Sequence, residues 1–230
     1  MTISKKFLSI AAAALLSLGG VAQAQDSVES VLKTTGCYAG LIGGYSMTSA
    51  NTTVGDGTSG INFDGLSAKG MTGGGIVGCD VKIGSHLVFG GWADYQFKDV
   101  GHNSTLFFGP DSFNASFGIK NGWTVGGRLG VQVHPSALLY GLVGYTQAEA
   151  DDLNLGYNGS SVATFDIPTL KGWVFGGGIE TNIGNGFSLR GEYRYTKYDD
   201  VSLSLAPGLN ADMKLEDHAA MASIVYRFGK

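Results

Sequence analysis

The sequence predicts an all-β fold: an eight-stranded antiparallel up-and-down transmembrane β-barrel, preceded by a cleavable signal peptide. Three observations carry this expectation. In segment after segment apolar residues recur at every second position, the period of a strand with one apolar and one polar face. The segments are joined alternately by short and by long polar connections, the pattern of a barrel with turns at one membrane surface and loops at the other. The chain is only 15% charged, holds 38 glycines and has no strong helical periodicity, a composition unlike that of a domain with water on every side.

The first element is not part of the barrel. Lys5 and Lys6 form a basic start, an apolar run extends from about Phe7 to Val21, and Ala22-Gln23-Ala24 offers small residues at the two positions a signal peptidase reads. Residues 1–24 are therefore expected to be a secretory signal peptide, 25–35 a short periplasmic lead, and 36–230 the barrel. The apolar run is too short for a spanning helix. Loss of Lys5 and Lys6 moves the net charge from −4 to −6, which argues against a nucleic-acid partner.

Eight segments then follow, at approximately 37–47, 70–82, 87–98, 122–133, 138–148, 172–183, 187–198 and 217–228. In GWTVGGRLGVQV, Trp123, Val125, Leu129, Val131 and Val133 share one face, and Thr124, Arg128 and Gln132 the other. GWVFGGGIETNI sets Trp173, Phe175, Ile179 and Ile183 against Val174, Glu180 and Asn182. FSLRGEYRYTKY sets Phe187, Leu189, Tyr193 and Tyr195 against Ser188, Arg190, Glu192, Arg194 and Thr196. The connections KIGSH, HPSA and IGNG are short. Those at roughly 48–69, 99–115, 149–169 and 199–216 are long and rich in Ser, Asn, Asp and Gly. In hydrocarbon every backbone N–H and C=O must be paired within the protein, and a sheet achieves this only by closing on itself. The location implied is the outer membrane of a Gram-negative bacterium, with lipid as the immediate partner.

The stretch GGGIVGCD contains Gly73, Gly75 and Gly78 in G-x-G-x-x-G spacing. A dinucleotide site needs a strand before that motif and a helix after it, and CDVKIGSH continues as a strand and a turn. With Val77, Cys79 and Val81 outward, Ile76, Gly78 and Asp80 point inward. A glycine there makes room for a long side chain of a neighbouring strand.

GCYAGLIGGYS, GGGIVGCD, WADYQF, GWTVGGRLG, LLYGLVGY, GWVFGGGIE, LRGEYRYTKYDD and IVYRF occur in this order. Together they resemble the eight-stranded outer-membrane β-barrel family of α-proteobacteria: the opacity-protein and porin-family surface antigens, similar to the OmpA membrane domain. The resemblance covers nearly all of the chain after the signal peptide. It implies an integral outer-membrane protein with a structural, surface-exposed role, or a small porin with a narrow or plugged lumen. It also implies recognition of the C-terminal strand by the barrel-assembly machinery. Family members end on the aromatic residue that this machinery reads, whereas here Gly229 and Lys230 follow Phe228.

The period places Asp94, Lys98, Arg128, Glu180, Arg190, Glu192, Arg194 and Arg227 in the lumen. Lone buried charges are costly, so these are expected to pair across the barrel, as a polar gate in a conduit or as a structural plug. The plug is preferred, because eight strands leave little lumen. Cys37 and Cys79 fall outward on adjacent strands and are expected to form a periplasmic disulfide, with two free thiols as the alternative. Trp123, Trp173, Tyr193, Tyr195, Tyr226 and Phe228 read as lipid-facing and girdle aromatics. His86 and His134 sit at short turns, and His102 and His218 near the long-loop end beside Asp99, Glu216 and Asp217, without metal-ligand spacing. No catalytic, cofactor-binding or metal residue is expected. A lipid-modifying enzyme is the weaker alternative, since no nucleophile–base pair appears. An adhesion or ligand-binding barrel acting through its long extracellular loops is the main one.

Overall fold

The computed structural model describes residues 34–55, 60–108, 111–150, 153–157, 160–165, 168–206 and 209–228. The expected signal peptide, nearly all of the expected lead, and Gly229 and Lys230 lie outside the described residues. The elements are β1 (Gly36–Gly55), β2 (Gly60–Ile83), β3 (Leu87–Phe108), β4 (Asp111–His134), β5 (Ala137–Ala150), β6 (Leu153–Tyr157), β7 (Ser160–Phe165), β8 (Leu170–Gly184), β9 (Phe187–Tyr198), β10 (Val201–Ala206) and β11 (Leu209–Phe228).

Eight of these close a ring. Each of β1 to β4 pairs antiparallel with the next, β5 pairs with β8, β8 with β9, β9 with β11, and β11 with β1. The last pairing, from Cys37 opposite Phe228 to Gly55 opposite Asn210, brings the two ends of the sheet together. Closure leaves no sheet edge inside the membrane, which is what a hydrocarbon surrounding demands. The expected all-β, eight-stranded barrel is the fold observed. No helix among the described residues is long and apolar enough to cross a membrane.

The two-residue period is written into the burial. On β2, Ile76 is 2% exposed and its neighbour Val77 is 54% exposed. On β5 the alternation is unbroken from Leu138 to Val143. The outer wall carries Leu41, Met71, Val125, Leu129, Leu139, Phe175 and Ile224, all exposed. Their exposure is to lipid, because the same strands have polar and charged groups on the inside.

The glycine motif lies mid-strand, with no helix after it. Gly78 faces the phenol of Tyr38, and the carbonyl of Gly91 would also stand 2.6 Å from a methyl group placed there. Close approach, and no phosphate cradle, explains this glycine.

The long connections differ from the sequence reading. Most of 48–69 and 99–115 is strand: β1 pairs with β2 up to Gly55 opposite Gly60, and β3 with β4 up to Phe108 opposite Asp111. Residues 149–169 contain the β6–β7 hairpin, with β6 paired to the upper part of β4, and 199–216 contain β10, paired to β11. The two-residue hydrophobic rhythm fades here, because these hairpins continue past the stretch where one face must be apolar. The backbone ladder needs no such rhythm to persist.

The charged lumen as candidate functional site

The interior has three levels. At the periplasmic end, where the short turns lie, five charged side chains come from five strands: Asp80 from β2, Arg128 from β4, Glu180 from β8, Arg190 from β9 and Arg227 from β11. Glu180, fully buried, receives three guanidiniums. Arg128 Nη2 lies 3.1 Å and Arg190 Nε 3.0 Å from Oε2, and Arg227 Nη2 2.7 Å from Oε1. Asp80 accepts Arg128 Nε at 2.9 Å, pairs again with Arg128 Nη2, and lies 2.8 Å from Arg227 Nη2. The three guanidiniums surround the ring of Tyr38, Arg190 at 3.9 Å and Arg128 and Arg227 at 5.1 Å from its centre. A desolvated cation gains from such a ring face.

The middle level is built on Arg194. Its Nη1 donates to Asp94 at 2.6 Å, its Nε to Glu192 at 2.9 Å, and its guanidinium lies 4.5 Å from the centre of Trp92. Tyr140 donates to Glu192 at 2.7 Å, Gln96 to Asp94 at 2.7 Å, and Thr72 to Gln96 at 2.8 Å.

Above it, Asp217 accepts hydrogen bonds from Ser46 and from Thr48 at 2.9 Å, and Lys98 Nζ stands 3.6 Å away. Lys98, Asp217, Gln96, Thr124, Thr146 and Thr196 line a cavity of about 20 Å³, room for roughly one water. A buried apolar layer of Ala50, Ala68, Ile119, Ala148, Leu170, Tyr198 and Leu215 stands on the extracellular side of this cavity.

Inside the wall the structure sets Asp94, Lys98, Arg128, Glu180, Arg190, Glu192, Arg194 and Arg227 together with Asp80 and Asp217. Among the described residues five acids (Asp80, Asp94, Glu180, Glu192, Asp217) face five bases (Lys98, Arg128, Arg190, Arg194, Arg227) inside the wall. This ion-paired set is formally neutral. Asp80 was legible, since the same alternation turns it inward. Asp217 was obscured by its position as the first residue of the expected strand 217–228, beside a long connection, and Tyr38, Trp92 and Tyr140 are inward aromatics that the reading of the charges did not include.

Cys37 and Cys79 face each other in the β1–β2 ladder and are disulfide-bonded, on the outer wall. Trp123, Trp173, Tyr193 and Phe228 are exposed on that wall, with Tyr226, and Tyr195 is half-buried there. Trp123, Tyr145 and Trp173 form a row with successive ring centres 6.0 Å apart towards the long-hairpin end. Phe187, Tyr226 and Phe228 form another at the periplasmic end. His218 contacts Tyr193 at 2.7 Å, while His86 and His134 each bond a serine of their own turn. The side chain of His102 lies outside the described residues. Among the described residues no group of three or more His, Cys, Asp or Glu could hold a metal ion.

A closed eight-strand ring, apolar outside and ion-paired within, defines an integral outer-membrane barrel. The chain belongs to the outer membrane protein beta-barrel domain family, which it matches over residues 10–228. It is similar to the 31 kDa outer-membrane immunogenic proteins of Brucella melitensis biotype 1 and Brucella suis biovar 1. Each is 26% identical over 166 residues, covering 71% of this chain and 68% of the relative. Among solved structures, the outer membrane protease OmpT from Escherichia coli aligns with a TM-score of 0.50 at 8% identity, over 87% of this chain and all of that one. That likeness is one of fold. These findings place the protein in the Gram-negative outer membrane as a relative of surface antigens.

Proposed function

We propose that the chain is an architectural, surface-exposed barrel whose lumen is a plug. The observation that supports this most strongly is the neutral, mutually paired set of ten enclosed charges beneath an apolar layer, beside a cavity with room for about one water. Glu180 alone is held by partners on three other strands, and every charge of the set has a partner across the wall, so the interior fixes the register of the wall instead of offering a path. Planar-bilayer recording tests it. Silence of the purified protein is the expected result, and stable unitary steps that change with Arg128→Ala or Glu180→Ala would establish the gated porin instead.

A second reading is that the barrel presents its outer hairpins to an extracellular ligand. It is favoured by β1 to β4, which continue as paired strands beyond the aromatic rows. Exchange of these hairpins in a chain that still folds is expected to alter cell attachment. Export by residues 1–24, a periplasmic lead at 25–35 and delivery to the assembly machinery through the strand ending at Phe228 belong to the same proposal. It assigns no catalytic role, and an unchanged lipid A mass on overexpression is its corollary.

A further inference from the structure

The charges of the lumen balance as a whole but not level by level. At the periplasmic level three guanidiniums, of Arg128, Arg190 and Arg227, meet two carboxylates, of Asp80 and Glu180. The opposite excess lies one level up, where Asp94 and Glu192 share Arg194. Tyr140 stands between the two, its ring 4.8 Å from the Arg128 guanidinium and its hydroxyl donating to Glu192. The periplasmic level is also short of acceptors. Glu180 already takes four N–H contacts, one each from Arg128 and Arg190 and two from Arg227, which fills a carboxylate. Six buried atoms of this level have no hydrogen-bond partner: Tyr38 Oη, Arg128 Nη1, Arg190 Nη2, Arg227 Nη1, Ser188 Oγ and Ser223 Oγ.

Buried polar groups in folded proteins find partners, and a cluster of exceptions calls for one. The ladder places these groups together. Ser223 is opposite Arg190, and Ser188 is opposite Val225, which stands between Ser223 and Arg227 on β11. Tyr38 is opposite Arg227. Arg128, Arg190, Arg227, Ser188 and Ser223 are each at most 5% exposed. A guanidinium offers donors and no acceptor, and a serine hydroxyl can turn its hydrogen towards a guest. A guest that only accepts and carries one negative charge meets both deficits at once. Water meets one of them, since it leaves the extra cation uncompensated. A bulky oxyanion does not suit an eight-stranded interior, which side chains nearly fill.

We infer that the periplasmic level of the lumen binds a halide-sized monovalent anion, chloride in the cell, through the N–H groups of Arg128, Arg190 and Arg227 and the hydroxyls of Ser188 and Ser223. The anion comes from the periplasm, because Arg227 abuts the short turn after β8, its backbone N–H bonded to the Gly186 carbonyl. The inference deepens the plug reading, on which it rests, by naming the guest that satisfies this level.

Bromide is the probe. Crystals of the purified protein grown in sodium bromide are expected to show an anomalous peak in hydrogen-bond contact with at least two of those five side chains. Water there without bromide overturns the proposal, and so does bromide found only elsewhere, an adventitious ion only. In detergent, the urea midpoint is expected to rise saturably with chloride or bromide at an ionic strength held constant with gluconate, as for any ligand that binds the folded state alone. A Ser188→Ala, Ser223→Ala protein, its folding checked by heat-sensitive migration, should need about tenfold more chloride for half the effect, since hydrogen bonds to ions are the stronger kind. A rise that never saturates, or that gluconate gives equally, is a general salt effect and overturns the site. An unchanged half-point in the variant overturns it too. Silent bilayers without bound bromide would keep the plug and remove the site, whereas stable unitary steps would overturn the plug and this site with it.

Discussion

Gly78 and Glu180 show how single positions set the barrel's tolerance. A methyl group on Gly78 would meet the phenol of Tyr38 from one side and the Gly91 carbonyl from the other. Gly78→Ala is expected to cost about 1–3 kcal/mol, the range for overfilling a packed interior. Tyr38→Leu in the same chain should recover part of that loss but not all, since the Gly91 carbonyl is backbone and cannot withdraw. Urea midpoints in detergent measure both. Glu180→Ala is harsher. It leaves Arg190 with no carboxylate in its described hydrogen bonds and takes one partner each from Arg128 and Arg227. Breaking a buried ion pair from one side costs about 3–5 kcal/mol, and the triple contact puts this variant at the upper end. Glu180→Gln, which keeps an acceptor oxygen but no charge, is expected to fall between it and the parent.

At the scale of the strands, the sequence was most legible where hydrocarbon imposes a rule. Trp123 to Val133 and Phe187 to Tyr195 alternate strictly because one face meets lipid and the other meets charge, and the same rule assigned Arg128, Glu180 and Arg190 to the lumen. It failed where water replaces lipid. Thr53, Asn62, Ser104 and Asn114 lie in strand, but a wetted hairpin needs no apolar face, so its residues resemble those of a loop. Asp217 was missed for that reason: it lies just inside the apolar layer, two residues from Leu215, at a boundary the rhythm does not mark. The contacts among charges were not legible either, since alternation gives a face but not an angle around the ring. The link between β1 and β2 was legible from two cysteines in an exported chain. It closes a separation of 42 residues, for which chain entropy alone suggests about 4 kcal/mol. A Cys37→Ser, Cys79→Ser protein is expected to fold to the same heat-sensitive form, because the β1–β2 ladder holds the register independently. It should unfold at a lower urea concentration, by up to that amount.

The molecule as a whole is a closed ladder, and closed ladders open all at once. Removal of any one strand exposes two edges to hydrocarbon, so partial unfolding is unfavourable throughout the membrane-spanning part. Unheated protein is expected to keep its barrel in dodecyl sulfate and to migrate differently from boiled protein on the same gel. Identical migration would contradict the closed ring. The position of the Cys37–Cys79 bond adds a constraint of another kind. It sits on the outer wall, and Val81, Ile83, Leu87 and Phe89 continue the greasy surface beyond it towards the periplasmic turns. In intact outer membranes the bond is therefore expected to resist hydrophilic thiols such as glutathione, which thiol labelling of Cys37 and Cys79 before and after detergent extraction would show. Once the bond is made and the chain inserted, its fate is uncoupled from the reducing power of the surroundings. Extraction from the bilayer, not a shift in thiol concentration, is what would render it cleavable.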